Sequence, residues 1–290
     1  MKASKSSLRN VKVISTGLPK LDELLDGGIG MNRIAQFSGR SSVGKSTVAL
    51  GVVANAQKAG LDVLWLDTEH RFQFDKAELL GVNLNDLDLE DQQYAEDLFT
   101  TAEEWVKKHK GLVVLDSIGG LLTRKDAEKK SGEEGFPEAP RLIPGFLKRT
   151  SHELAKGGAL ILLNHEKIEF GTGALKVLGG RAVEHHSDKW IRLRLLTNKK
   201  IMSGDKRIGD VIEASVQKGV NKGMTCELHL MAGRGFHNNF DLAEEAIARG
   251  VIKSGNTFTL DGEKIAIGMG KLREALRDAT LVETIKSRIG

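Results

Sequence analysis

The stretch Gly39-Arg40-Ser41-Ser42-Val43-Gly44-Lys45-Ser46 constrains this chain more than any other. An apolar run of strand length (Ile34, Ala35, Phe37) enters it, and Thr47 to Lys58 leaves it with helical periodicity. G-x-x-x-x-G-K-S between a strand and a helix is a phosphate-binding loop in its required context, whereas a chance Gly/Ser-rich turn would lack one flank or the other. Glycines let the backbone curl with its N–H groups pointing inward, and together with the N-terminus of the following helix they make an anion hole. Lys45 supplies charge to the β- and γ-phosphates and Ser46 a hydroxyl to Mg²⁺. Gly39 to Thr47 are therefore the expected contacts of a bound nucleoside triphosphate, taken as ATP.

Composition narrows the rest. A chain of 290 residues, 40% apolar and 28% charged, is an ordinary globular protein long enough for one large domain and an appendage. Its net charge of +4 is a mild basic bias, compatible with a nucleic-acid partner. A single cysteine, Cys226, excludes an internal disulfide framework and a cysteine-based metal site. Residues 1–10 are polar and basic, a flexible start with no apolar signal-peptide core, and no apolar run reaches membrane-spanning length. A cytoplasmic protein without a membrane partner is the expectation.

Along the chain, apolar runs of strand length alternate with helical segments. VLWLD (63–67), LVVLD (112–116) and LILL (160–163) are separated by helix-like stretches near 75–80, 94–108 and 142–156. That alternation predicts a mostly parallel sheet covered on both faces, with ligands at the carboxyl ends of the strands. Two Gly-containing irregular stretches interrupt it, Lys125 to Arg141 and Glu166 to Gly180. From Trp190 the runs WIRLRLL, DVIEASVQK and CELHLM alternate with period two and predict antiparallel additions at the sheet edge. A core over 11–253 is expected, then a small α+β unit over 254–290 whose hairpin turns at Asp261-Gly262.

Acidic and polar residues close the central strands. Asp116 ends LVVLD, where a carboxylate can hold Mg²⁺ and its water shell opposite Ser46. Glu69, just past VLWLD, is placed to activate the water that attacks the γ-phosphate, although Asp67 and Glu69 could instead cap the next segment. Asn164 and His165, at the tip of the third strand, are candidates for sensing the γ-phosphate. No spacing suggests a zinc site or a Ser-His-Asp triad, and His185-His186 reads as surface or interface.

The ordered set ISTGLPKLDELLDGGI, GRSSVGKST, LWLDTEH, GLVVLDSI, ILLNH, LGGRA and GVIKSGNTFTLDGEKIAIGMGK resembles the RecA-family DNA recombinases from about Val13 to the C-terminus, with Asn-His more like phage-encoded members than the usual bacterial Asn-Gln. The resemblance implies a RecA-like P-loop NTPase core with antiparallel edge strands and a small C-terminal domain. It implies ATP and Mg²⁺ as cofactors, Lys45, Ser46 and Asp116 at phosphate and metal, Glu69 as catalytic glutamate and His165 as γ-phosphate sensor. Lys218 matches one of two lysines that reach a neighbouring protomer's nucleotide. The two irregular stretches match the family's DNA-binding loops: Lys129, Lys130, Phe136 and Arg141 with Lys148 and Arg149 after them, and Lys167, Phe170 and Lys176 with Gly179, Gly180 and Arg181 at the end. The implied activity is DNA-dependent ATP hydrolysis, filament formation on single-stranded DNA and strand exchange with a duplex, alongside single-strand-binding and loader proteins.

The chain also departs from the family pattern. Val216 stands where the other lysine is expected, Lys76 where an aromatic stacks on adenine, and Glu169 and Glu184 where basic residues are common. The family's N-terminal helix is not among the residues before the match. Two rival readings follow: a motor or branch-migration ATPase, with a ring instead of a filament, and a non-catalytic ATP-gated DNA-binding regulator.

Overall fold

A computed structural model describes residues 12–129, 138–168, 175–203, 205–237, 239–276 and 278–289. Residues 1–10, expected to be a flexible start, lie outside them. The chain divides into two compact units, one of residues 1–194 with 213–226, the other of 195–212 with 227–290.

In the first unit, a short ribbon of β1 (Val13–Ile14) and β2 (Ile29–Gly30) holds α1 (Pro19–Leu24) between its strands. Then come β3 (Arg33–Gly39), α2 (Lys45–Lys58), β4 (Val63–Asp67), α3 (Phe74–Leu79), β5 (Asp88–Glu90), α4 (Ala95–Lys108) and β6 (Leu112–Asp116). They are followed by α5 (Arg124–Ala127), α6 (Ala139–Leu154), β7 (Ala159–Ile168), β8 (Leu175–Val177) and α7 (Gly180–His186). The strands β9 (Lys189–Ser203), β10 (Lys206–Lys218), β11 (Thr225–Met231) and β12 (Gly235–Phe236) follow, residues 195–212 and 227–236 of this stretch belonging to the second unit, and the sheet has the order β12-β11-β10-β9-β3-β7-β6-β4-β5.

The central strands run parallel, β3 beside β7, β7 beside β6, and β6 beside β4. Strands covered on both faces need apolar side chains on both faces, which is why VLWLD, LVVLD and ALILL are nearly unbroken apolar runs rather than alternating ones. Their residues are essentially inaccessible, Leu64, Val113 and Ile161 at 0% exposure. On one face α4 and α6 pack together, Phe99 stacked on Phe146 at 4.1 Å between ring centroids.

Three segments differ from the sequence expectation. β9 lies parallel to β3, Phe37 opposite Ile191, because α7 carries the chain back across the sheet before the edge strands begin; period-two alternation alone does not report direction. α6 begins at Ala139, since Pro140 sits in the first turn, where the missing N–H costs nothing. β7 continues to Ile168 and pairs antiparallel with β8, Lys167 opposite Lys176, so a hairpin stem stands where an irregular loop was expected.

The second unit holds α8 (Asn239–Ala248), β13 (Ile252–Lys253), β14 (Thr257–Leu260), β15 (Glu263–Ile267), α9 (Gly268–Ala275) and α10 (Ala279–Ile289). Leu260 pairs with Glu263 across Asp261 (φ 53) and Gly262 (φ 88), the two left-handed residues that a tight hairpin requires. Ala246, Phe258, Leu272 and Ile285 are buried in a core of this unit's own.

Truncating Phe146, 1% exposed, removes the ring that joins α6 to α4. Phe146→Ala is expected to lower stability by about 3–5 kcal/mol, read as a fall in the denaturant midpoint; an unchanged midpoint would contradict this packing account.

Candidate nucleotide-binding site

Parallel register sets the site. Gly39 is opposite His165, Asp67 opposite Asp116 and Leu115 opposite Leu162, so the ends of β3, β4 and β6 and the His165 stretch of β7 reach the same edge of the sheet and present their polar residues to one crevice. A Cβ on Gly39 would lie 2.5 Å from the Leu193 carbonyl oxygen, so only glycine lets the loop leave the sheet here. Gly44 (φ 93) caps α2, and Ser42 (φ 63) is also left-handed, which curls the segment over the helix N-terminus. Arg40, Ser41 and Ser42 are exposed, whereas Val43 and Thr47 are buried beneath them.

Lys45 is the first residue of α2 and is 6% exposed. Its Nζ donates to the carbonyls of Gly39 (3.1 Å) and Arg40 (2.9 Å), bonds that phosphate oxygens could replace. Burial lowers its pKa, opposed by the charges of Asp116, Glu69 and Glu166. Ser46 Oγ donates to Asp116 Oδ2 at 2.7 Å. Burial pushes Asp116 up to about 6, with the carboxylates of Glu69 and Asp67 adding to the rise and the Ser46 bond opposing it. A hydroxyl and a carboxylate are hard oxygen donors that suit Mg²⁺, and among the described residues no group of three His, Cys, Asp or Glu could hold a metal. A cation here would complete its shell with phosphate oxygens and water. Lys76 of α3 is half-buried and within electrostatic reach of Asp116, so this site has a second cation beside Lys45.

The two acids after β4 have different surroundings. Asp67, 5% exposed, accepts the N–H groups of Glu69, Arg71 and Phe72 at 3.1, 2.7 and 2.8 Å; it caps the turn. Glu69 points elsewhere, its Oε1 accepting from Ser117 Oγ at 2.6 Å and lying 2.9 Å from His165 Nε2. Burial raises its pKa, but the hydrogen bonds from Ser117 and His165 outweigh that, and the carboxyl stays below its ordinary value. Ser117, fully buried, has no signature in sequence beyond following a strand-end aspartate.

Residues 164 to 166 tie this crevice to the hairpin. The Asn164 side chain bonds both the carbonyl (2.7 Å) and the N–H (3.2 Å) of Leu178. His165 holds Glu69, and the Glu166 carboxylate accepts from Ser38 Oγ at 3.0 Å and from Arg192 Nε at 2.9 Å. Sequence reasoning placed Glu166 at the start of a loop and missed this role, because Ser38 and Arg192 are remote in sequence.

The other expected residues scatter around these anchors. Lys129 follows α5 and pairs with Asp126 at 2.5 Å, and Arg141 pairs with Glu138 at 3.0 Å. Lys148 is exposed on α6, while Arg149 makes a two-pronged pair with Glu103 of α4. Lys167 and Lys176 face each other across the β7–β8 stem. Gly179 (φ 82) and Gly180 (φ 60) turn the chain into α7, on whose first turn Arg181 is exposed. Lys218, at the end of β10, donates to the carbonyls of Glu184 and His185 at 2.7 and 3.0 Å, satisfying the C-terminus of α7. Lys130, Phe136 and Phe170 lie outside the described residues.

A phosphate loop on the third strand of a mostly parallel sheet, with acids at the tips of the neighbouring strands, defines a P-loop nucleoside triphosphatase. Comparison with known proteins is more specific. The family model for the RecA N-terminal domain matches residues 1–237. Protein RecA of Chlorobium limicola is 30% identical over 282 residues, spanning 94% of this chain and 80% of that protein. Protein RecA of Mycoplasma genitalium is 30% identical over 291 residues (95% and 84%), and that of Bifidobacterium breve 28% over 299 residues (100% and 76%). The chain belongs to the RecA family.

Asp116 gives a test of the site's electrostatics. Its pKa of about 6 lies above the ordinary 3.8, so the stability it contributes is present below about pH 4 and lost as pH rises through about 6. Asp116→Asn is therefore expected to stabilise the nucleotide-free protein by about 1–3 kcal/mol near pH 8 and not near pH 4, seen as a pH-dependent gain in Tm. Equal Tm values for variant and parent at both pH values would contradict it.

Proposed function

We propose that this chain is an ATP-dependent DNA recombinase that polymerises on single-stranded DNA and exchanges strands with a homologous duplex. The carrying observation is the run Asn164-His165-Glu166, which joins the crevice holding Lys45, Asp116 and Glu69 to the hairpin bearing Lys167 and Lys176. Two lysines on one ribbon are cations of the kind that contact a polyanion's phosphates. Lys148 and Arg181 are exposed further cations on the same unit. Binding through phosphates of this kind is independent of base sequence and weakens with salt.

ATP with Mg²⁺ fits the crevice. Gly39 to Thr47 would receive the phosphates, Lys45 exchanging its carbonyl partners for phosphate oxygens, and Ser46 with Asp116 would hold the cation. The nucleotide supplies the phosphoryl group that is transferred to water. Glu69 orients that water and takes its proton, which a carboxylate ionised at neutral pH can do. His165, bonded to Glu69 on one side and carried by the hairpin strand on the other, is the sensor. Where the nucleotide lies between protomers, Lys218 would leave the α7 carbonyls to reach a neighbour's phosphates. Among the described residues no helix is long and apolar enough to cross a membrane. Cytoplasmic action in a bacterial cell or a phage-infected host, with single-strand-binding and loading proteins, accords with this reading.

ATP turnover measured with and without single-stranded DNA tests the site, the ligand and their coupling together. Turnover is expected to rise with DNA, to vanish with nucleotide binding in Lys45→Ala, and to fall about 10²–10³-fold with binding retained in Glu69→Gln. Unaltered nucleotide affinity in Lys45→Ala would contradict the phosphate site. Absence of joint molecules between single-stranded DNA and homologous duplex, across salt and nucleotide conditions, would contradict strand exchange.

A further inference from the structure

Both hydrogen-bond donors to Glu69 meet the same oxygen. Oε1 takes the Ser117 hydroxyl at 2.6 Å and stands 2.9 Å from His165 Nε2. The two donors are held very differently. His165 is about a quarter exposed and lines a cavity of about 280 Å³ with Arg71, Lys167, Leu178 and the Gly119-Gly120 backbone. Ser117 is fully buried.

Every polar atom of Ser117 is committed. Its N–H donates to Thr68 Oγ1 at 2.8 Å, and its carbonyl accepts the Thr68 hydroxyl at 2.7 Å. Its Oγ accepts the Gly119 N–H at 3.2 Å, which leaves the hydroxyl proton directed at Glu69. Thr68 in turn donates its N–H to the Asp116 carbonyl at 2.9 Å. The chains leaving β4 and β6 are therefore bolted together immediately beside the carboxylate. Gly120 allows them to meet, since a Cβ there would lie 2.4 Å from Thr68 Oγ1 and 2.7 Å from the Thr68 carbonyl oxygen.

The geometry points to Ser117 as a positioning residue that aims the Glu69 carboxylate, fixing Oε1 from the buried side so that Oε2 faces the attacking water whether or not His165 moves. This rests on the reading of Glu69 as the water-activating carboxylate. A donor from the hairpin strand alone would leave the carboxylate's aim dependent on that strand, whereas a donor held between the ends of β4 and β6 fixes it independently of His165. The charged groups around Glu69 are His165, Arg71 and Lys167 at the cavity and Lys45 and Asp116 toward the phosphate loop. None of them replaces a neutral donor at this position.

The test is steady-state ATP turnover of the full chain on single-stranded DNA with Ser117→Ala, Ser117→Cys and Ser117→Thr. Misplacing a catalytic group lowers the rate of the chemical step more than substrate binding. In Ser117→Ala and in Ser117→Cys, which keeps the volume but only a weak donor, kcat is expected to fall about 10–100-fold with KM within about twofold. Ser117→Thr, which keeps the hydroxyl, is expected to recover most of kcat. Parental kcat in Ser117→Ala overturns the proposal, as does a loss that threonine fails to restore or that comes with an equal loss of ATP affinity. Glu69→Gln run alongside separates the two claims. Parental turnover in Glu69→Gln contradicts the role of Glu69 and with it any aiming by Ser117; loss in Glu69→Gln with none in Ser117→Ala contradicts the aiming alone.

Discussion

The parallel register of four buried strands is the constraint on which everything else depends. Pairing Gly39 with His165, Asp67 with Asp116 and Leu115 with Leu162 brings the phosphate loop, Asp116, the residues after β4 and His165 to the same edge of the sheet. A slip of one residue in β7 would turn His165 to the opposite face and Asn164 away from Leu178. The apolar runs that pin this register are the same ones that fill the core, so packing and site geometry are set by a single set of side chains.

That dependence explains what could be seen in the sequence. The phosphate loop, Asp116 and Glu69 stand out because polar residues abruptly end apolar runs, and the parallel core follows from the alternation of those runs with helices. Other features rest on contacts remote in sequence. Ser117 is an unremarkable residue until Thr68 and Glu69 come beside it, and Glu166 until Ser38 and Arg192 do. The β7–β8 stem is hidden because its residues have loop-like composition, and the direction of β9 because alternation looks the same in either orientation. Lys130, Phe136 and Phe170 rest on family resemblance and lie outside the described residues.

Charge on the nucleic-acid side sorts into two groups. Arg141 and Arg149 are neutralised by Glu138 and Glu103, so contact with DNA phosphates there requires exchange of one anion for another, a modest net gain at an exposed pair. Lys167 and Lys176 stand opposite each other on the β7–β8 stem. On the proposed function this stem is the DNA-contacting element that Asn164, His165 and Glu166 connect to the nucleotide crevice. On the proposed function the same three residues would let both ligands bias the hairpin, which is the physical requirement for coupling between two sites.

On the proposed function, occupancy of the phosphate loop is transmitted to the hairpin through residues 164–166. Amide hydrogen exchange of the full chain, with and without a slowly hydrolysed ATP analogue and Mg²⁺, measures it directly in the absence of DNA. The account predicts a change in protection at Glu166–Ile168 and Leu175–Leu178 together with protection at the start of α2. Protection confined to the phosphate loop and α2, with the hairpin amides exchanging as before, would contradict it.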